Sequence, residues 1–424
     1  MNHLFRTALL LSAVSFAELP SGDSGLPCSA PGRAFGVELL PLPQAKPPDP
    51  EVDPKAVNAA IDKGVQWLLT KFSQNRIPEP RYAELVLLTL THAGVPPEHP
   101  IFRDNFQKML DHRVSETYNA GLRALLLEKV NRKFYQQSLA EIAMFYLENQ
   151  CDNGQWAYTG KSRKLTPTVY APVPTPAKKK VIPGATQTMD EGPQPGKDLK
   201  LPPPVRGTAK MSGDNSNTQY AVLALFAASR AAVVVPKAPW LEVEKWFETK
   251  QNPDGGWGYD SAEVPGVGRV TTDASTGSMT TAALTGLIVS KFYLGKDWKN
   301  DASVTRGLDW LGKFFAVNVN PGAPLFWHYY YLYGLERVGT ISGLEEFGGH
   351  RWYKEGAEYL IKMQDADGSW KNTTLVQGLT DSVSDTCFAI LFLKRATPPL
   401  QKPKDIATGV SKKDEEPAKS PEEK

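Results

Sequence analysis

Chemistry needs an acid, a base or a binding surface, so the carboxylates and rings come first. Asp381 and Asp385 stand four residues apart at the head of an apolar stretch, which puts both on one face of a helix. They are the candidate catalytic pair. The start of a helix favours ionised carboxylates, however, which is the wrong direction for a proton donor. Glycan cleavage would need two carboxylates facing each other across a cleft, with Glu116, Asp214 or Asp273 opposite that pair. A second kind of site is offered by rings: Tyr118, Tyr220, Trp327, His328, Tyr329 and Phe388 lie in apolar stretches where they could line a cavity for an apolar ligand.

Two short motifs are set aside. Gly22-Asp23-Ser24-Gly25 copies the nucleophile segment of a serine protease, yet it sits in a Pro-rich stretch with no positioned His. Gly154 to Ser162 imitates a phosphate loop, but the spacing is one residue too long and no strand precedes it.

The elements that must position these residues are helical. Twelve stretches of helix length alternate in character, separated by Gly, Pro, Asn or Asp. One set, 56–72, 100–112, 135–150, 240–251, 302–317 and 351–364, is amphipathic, as helices with one wet face should be. The other, 81–92, 116–130, 217–232, 278–294, 325–338 and 382–395, is apolar on most sides and must be buried. Six half-wet and six dry helices in strict alternation predict an all-α (α/α)6 toroid, six hairpins with an inner ring inside an outer one. Polar clusters at 212–217, 271–276 and 380–385 fall at starts of dry helices, where N-capping accounts for them.

Three wet helices end in one pattern: Gln150-Cys151-Asp152-Asn153-Gly154-Gln155-Trp156, Gln251-Asn252-Pro253-Asp254-Gly255-Gly256-Trp257 and Gln364-Asp365-Ala366-Asp367-Gly368-Ser369-Trp370. Glycine stops a helix by taking the left-handed conformation, the Gln can bond freed backbone groups, and the indole can pack back over the turn. Trp67-Leu68 and Trp310-Leu311 read as worn copies that lost the turn. The pattern resembles the QW repeat of squalene and oxidosqualene cyclases, shared more loosely with protein prenyltransferase β subunits. That resemblance implies a central cavity for an apolar, isoprenoid-like ligand, with aromatic walls that stabilise carbocations. Cyclases of that kind protonate an alkene with a D-x-D-D motif, which this sequence lacks. Prenyltransferases bind zinc through Asp-x-Cys and a His; Asp385-Thr386-Cys387 matches the pair, and His328 would be the third ligand, though here the His precedes the pair. No other cofactor is expected.

The 424 residues carry a net charge of +2, with no basic stripe of a nucleic-acid binder and no run long enough to span a membrane. Residues 1–17 read as a signal peptide, so the chain is expected to be exported. Residues 18–54 form a Pro-rich linker, 55–397 the toroid with a mobile insertion at 161–211, and 398–424 a charged, disordered tail. Three functions compete: a cyclase-like or prenyltransferase-like toroid with an apolar ligand, an exported scaffold for unknown protein partners, and a polysaccharide-cleaving enzyme.

Overall fold

Helix follows helix along the chain, and the order in which they pack closes a ring. The structure, a computed structural model, describes residues 51–74, 82–162, 198–206, 213–259, 262–264, 268–270, 274–324, 326–372 and 382–400. All of these lie in the compact unit Glu51–Lys424. Twelve helices occur among them, numbered α1 to α12 in chain order. The outer ones are α1 (Pro54–Ser73), α3 (Pro100–Asp111), α5 (Gln136–Asn149), α7 (Ala238–Thr249), α9 (Ala302–Lys313) and α11 (Trp352–Met363). The inner ones are α2 (Ala83–Ala93), α4 (Thr117–Asn131), α6 (Asn215–Arg230), α8 (Gly277–Tyr293), α10 (His328–Ser342) and α12 (Ser382–Leu393).

Each inner helix packs on the next, α2 on α4 and so on to α12, and α12 returns to α2. The outer helices lie against this ring: α5 touches α4 and α6, α11 touches α10 and α12, and α1 reaches α2, α11 and α12. The result is the (α/α)6 toroid that the alternation of wet and dry stretches predicts. Inner helices are buried because they have neighbours on every side; α6 is buried along its whole length.

Local chemistry sets the ends. Asp53 caps α1, accepting from the Lys55 amide at 2.9 Å, and Pro54 occupies the first turn, where its missing N–H costs nothing. Asp214 accepts from the Asn217 amide at 2.7 Å, which starts α6 two residues before its apolar period begins. α10 begins at His328 rather than 325, because Trp327 takes a left-handed backbone (φ 57°).

The three Gln-Trp turns share one geometry. In each, the indole Nε1 donates to a carbonyl ten residues earlier in its own outer helix: Trp156 to Tyr146, Trp257 to Phe247 and Trp370 to Leu360, at 2.8 to 2.9 Å. The Trp amide donates to a threonine hydroxyl near the start of an inner helix, Thr218, Thr280 or Thr386. The Gln Nε2 donates both to the turn glycine carbonyl and to the next outer helix, at Pro239, Ser303 or Ala60. The third turn therefore ties the last hairpin to the first. Trp67 and Trp310, read from sequence as worn copies, are the receiving half of this lock: their indoles donate to the turn carboxylates Asp367 (3.1 Å) and Asp254 (2.9 Å).

Buried ion pairs hold neighbouring helices in register. Arg230 Nη2 meets Glu128 Oε2 at 2.6 Å, and Lys291 stands within 2.8 Å of Glu244, Glu248 and Asp301. Four short strands are also present: β1 (Leu199–Lys200) pairs in parallel with β2 (Val233–Val234), and β3 (Ala262–Val264) pairs with β4 (Gly268–Val270) as a hairpin. Of the insertion expected at 161–211, residues 161–162 and 198–206 are among those described. Residues 198–206 are docked, through β1 and through Arg206, whose Nη2 donates to Gln150 Oε1 and to the Glu242 carboxylate, each at 3.0 Å. Residues 163–197 and 207–211 of that segment lie outside the described residues, as do 1–50 and 401–424.

Candidate ligand site in the bore of the ring

Contacts that skip a helix locate the centre of the ring. Gln219, on α6, donates from Nε2 to the Tyr330 hydroxyl on α10 and accepts at Oε1 from Arg337 Nη1 at 2.7 Å. Since α8 lies between α6 and α10, these bonds are chords across the bore. Tyr330, Tyr333 and Arg337 recur at three- and four-residue spacing, so one face of α10 presents all three. The Arg337 guanidinium lies over the Tyr333 ring (4.3 Å) and beside that of Tyr220 (5.5 Å). Phe388 of α12 packs on Tyr330 (5.6 Å) and Tyr333 (5.8 Å).

From this centre an aromatic column runs outward. Tyr220 meets Tyr118 of α4 at 4.6 Å, and Tyr118 stacks on Tyr158, at 6.4 Å and 14° between planes. Tyr158 follows the first Gln-Trp turn and is 52% exposed. The column thus connects solvent with the buried middle of the molecule. Asp214 stands beside it, buried, accepting from Ser216 Oγ and from the amide and side chain of Asn217 at 2.6 to 2.7 Å.

Burial dominates the electrostatics. It holds the Tyr118 and Tyr330 hydroxyls far above the usual phenol range and pushes Tyr220 up to about 12, with Arg337 pulling the other way, so these hydroxyls remain neutral. Burial also raises Asp214, in spite of the bonds from Ser216 and Asn217. The position at a helix start would favour its ionised form; desolvation outweighs it.

The residues singled out in the sequence divide into two groups. Tyr118, Tyr220 and Phe388 belong to the bore cluster. Trp327, His328 and Tyr329 lie at the start of α10. His328 Nε2 bonds the Val317 carbonyl at 2.9 Å, and its ring meets Tyr329 (5.2 Å) and Tyr359 of the outer helix α11 (5.4 Å). Burial lowers its pKa below the ordinary histidine value, with the Val317 bond pulling the other way. Asp385 accepts from the Asn372 amide at 2.9 Å and so holds the chain after the third Gln-Trp turn; its proposed partner Asp381 lies outside the described residues, as does Asp273. Cys387 is buried in α12, and among the described residues no three His, Cys, Asp or Glu side chains converge on a point that could hold a metal ion. The zinc set Asp385, Cys387 and His328 is therefore not gathered by the fold. Arg337, Gln219 and Tyr333 were missed in the sequence, although an arginine seven residues from Tyr330 in a mostly apolar helix was the available signal.

Away from the bore, a cavity of about 500 Å³ opens at the second Gln-Trp turn, lined by Asn252, Asp254, Ser275, Trp310 and Phe314 among others. Its polar groups are engaged with one another: Asp254 Oδ1 accepts from Ser275 Oγ at 2.7 Å and Oδ2 from the Trp310 indole.

Comparison with protein-family models and with curated proteins returns no match. Among solved structures, the chain is similar to the type II terpene cyclase MstE from Scytonema without ligand, with 13% identity and a TM-score of 0.44, over 81% of this chain and 99% of that one. It is similar to the same extent to a complex of an Arg-to-Ala variant of MstE with the substrate geranylgeranyl dihydroxybenzoate (13% identity, TM-score 0.44, 81% and 98% covered).

Proposed function

We propose that the toroid is an exported binding protein for a small molecule with an apolar, isoprenoid-like body, taken into the bore along the tyrosine column. The observation that carries this reading is the column itself, Tyr158 to Tyr118 to Tyr220, which leads from a half-exposed ring to the buried centre. Rings in series offer continuous apolar surface at low entropic cost, and their faces attract either hydrocarbon or developing positive charge. Tyr158 is the ring that can swing aside with least loss of burial. The ligand would then replace the stacking of Tyr118 with its own contacts. A cyclase or prenyl-transfer reaction would use the same bore, with Asp214, whose pKa burial raises, as the carboxyl group beside the column.

A second reading, a rigid scaffold with no ligand, is favoured by the close filling of the bore, where Tyr220 and Arg337 are each 1% exposed. Titration of the purified protein with C15 and C20 prenyl alcohols, followed by quenching of intrinsic fluorescence, separates the two. The binding reading expects saturation near one equivalent and at least tenfold weaker binding for Tyr118→Ala. No saturable binding by the folded protein refutes it in favour of the scaffold. Incubation with squalene and prenyl diphosphates tests for conversion.

A further inference from the structure

Arg337 is the least ordinary group in the molecule. It is 1% exposed, and among the described residues no carboxylate stands within ion-pair distance of it. Its Nη1 is taken by Gln219, and the Tyr220 and Tyr333 side chains stand close enough to interact with the guanidinium, but Nη2 is buried with no partner within hydrogen-bond distance. A buried guanidinium is costly unless its charge and its donors are both answered, so an orphaned donor at the centre of a ring marks a missing partner. The carboxylate next in sequence does not answer it. Glu336 turns away to Thr397, accepting from its amide at 3.0 Å and its hydroxyl at 2.7 Å, and also to the Thr340 hydroxyl at 3.2 Å.

We infer that the bore takes a ligand with a monoanionic carboxylate end, which accepts from Nη2 of Arg337 while its apolar body lies along Tyr220 and Tyr118. This rests on the binding function proposed above and specifies its ligand class. The charge count selects the head group. One cation is on hand in the cluster, and a carboxylate neutralises it; a diphosphate would leave two or more charges buried without counter-ions. The chemistry of the donor agrees, because a guanidinium whose Nη1 is already engaged still offers Nη2, and its planar fork suits a planar two-oxygen acceptor. The tyrosine hydroxyls around it, all neutral, are further donors for the second oxygen.

The test is a matched series on the full chain: a C15 prenyl carboxylate, the corresponding alcohol and the corresponding diphosphate, each titrated against wild type, Arg337→Met and Arg337→Lys. Wild type should bind the carboxylate about 30-fold or more tighter than the alcohol, the ratio that ~2 kcal/mol gives at 1.4 kcal/mol per tenfold. Arg337→Met should lose the preference and bind the carboxylate no tighter than the alcohol; it removes an unanswered buried charge, so the fold should survive it. Arg337→Lys should keep part of the preference. Equal binding of carboxylate and alcohol by wild type overturns the inference and leaves the binding function standing, as does a preference unchanged in Arg337→Met. Tightest binding of the diphosphate overturns the monoanion assignment. If none of the three binds, the binding function itself falls and the inference with it.

Discussion

Gly368 and Gly94 form a natural controlled experiment on ring closure. Both have nearly the same left-handed backbone, φ 91° and 89°. An added Cβ at Gly94 would meet nothing within 4 Å, whereas at Gly368 it would stand 2.7 Å from the Lys63 carbonyl oxygen of α1. Gly94→Ala should therefore show only the dihedral cost, about 1–2 kcal/mol, offset in part by about 0.4–1 kcal/mol from the stiffer unfolded chain. Gly368→Ala adds the push on α1. The turn must withdraw from it, which strains or breaks the Gln364–Ala60 bond (2.8 Å) and the Trp67–Asp367 bond (3.1 Å), each worth about 1 kcal/mol. The expected losses are about 1 kcal/mol for Gly94→Ala and about 3 kcal/mol for Gly368→Ala. At roughly 1.5 °C per kcal/mol for a domain of this size, that is a Tm drop of about 1–2 °C against 4–5 °C by calorimetry. Equal losses for the two variants would refute the argument that the last turn bears on the first helix.

Glu336 is buried among Thr340, Thr397 and Arg337, and burial pushes its pKa up to about 7 from an ordinary 4.5. The folded state thus holds a proton that the unfolded chain has released, so its contribution is fully present below pH 4.5 and is lost as pH rises through 7, about 3 kcal/mol in all. Glu336→Gln should match wild type in urea unfolding near pH 4.5 and exceed it by about 2–3 kcal/mol at pH 8; a difference that does not change with pH would count against this. Lys291→Met takes the cation from between Glu244, Glu248 and Asp301 and should cost about 3 kcal/mol. A measured loss below about 1 kcal/mol would show that Lys296, which also reaches Glu244 at 2.6 Å, compensates. Expressed in a secreting host, the chain should be recovered with Glu18 as its first residue, and an intact Met1 in mass spectrometry would contradict export.

The ring was legible in the sequence because burial writes itself into composition. A helix such as α6, apolar nearly all round, can only be an inner one, and the period of Gln and Trp marks where outer helices stop. What escaped was pairing at a distance. Trp67 and Trp310 look like damaged repeats along the chain, yet each completes a turn made elsewhere, and only the closed ring brings Trp67 to Asp367. The bore was half legible: Tyr118, Tyr220 and Phe388 were singled out as aromatics on dry helices, but so were Trp327, His328 and Tyr329, and nothing in spacing alone says which side of α10 faces inward. Arg337 decides that question, since a charge in a dry helix marks the face that meets another polar group. The reading of helix starts as sites for ionised carboxylates also met its limit at Asp214, where desolvation exceeds what the helix end contributes.

The bond from Gln364 to the carbonyl of Ala60 spans 304 positions of sequence. A ribosome must make almost the entire toroid before α1 finds the turn that covers it, so the first hairpin emerges with one flank bare and stays so for most of synthesis. Such a chain cannot finish folding until its last hairpin has been made. The same closure gathers the two ends of the ring at one place, since Arg351 pairs with Glu51 and the neighbouring Tyr353 hydroxyl donates to the Leu393 carbonyl at the end of α12, so joining the ends and cutting between α2 and α3 should yield a permuted protein that still closes.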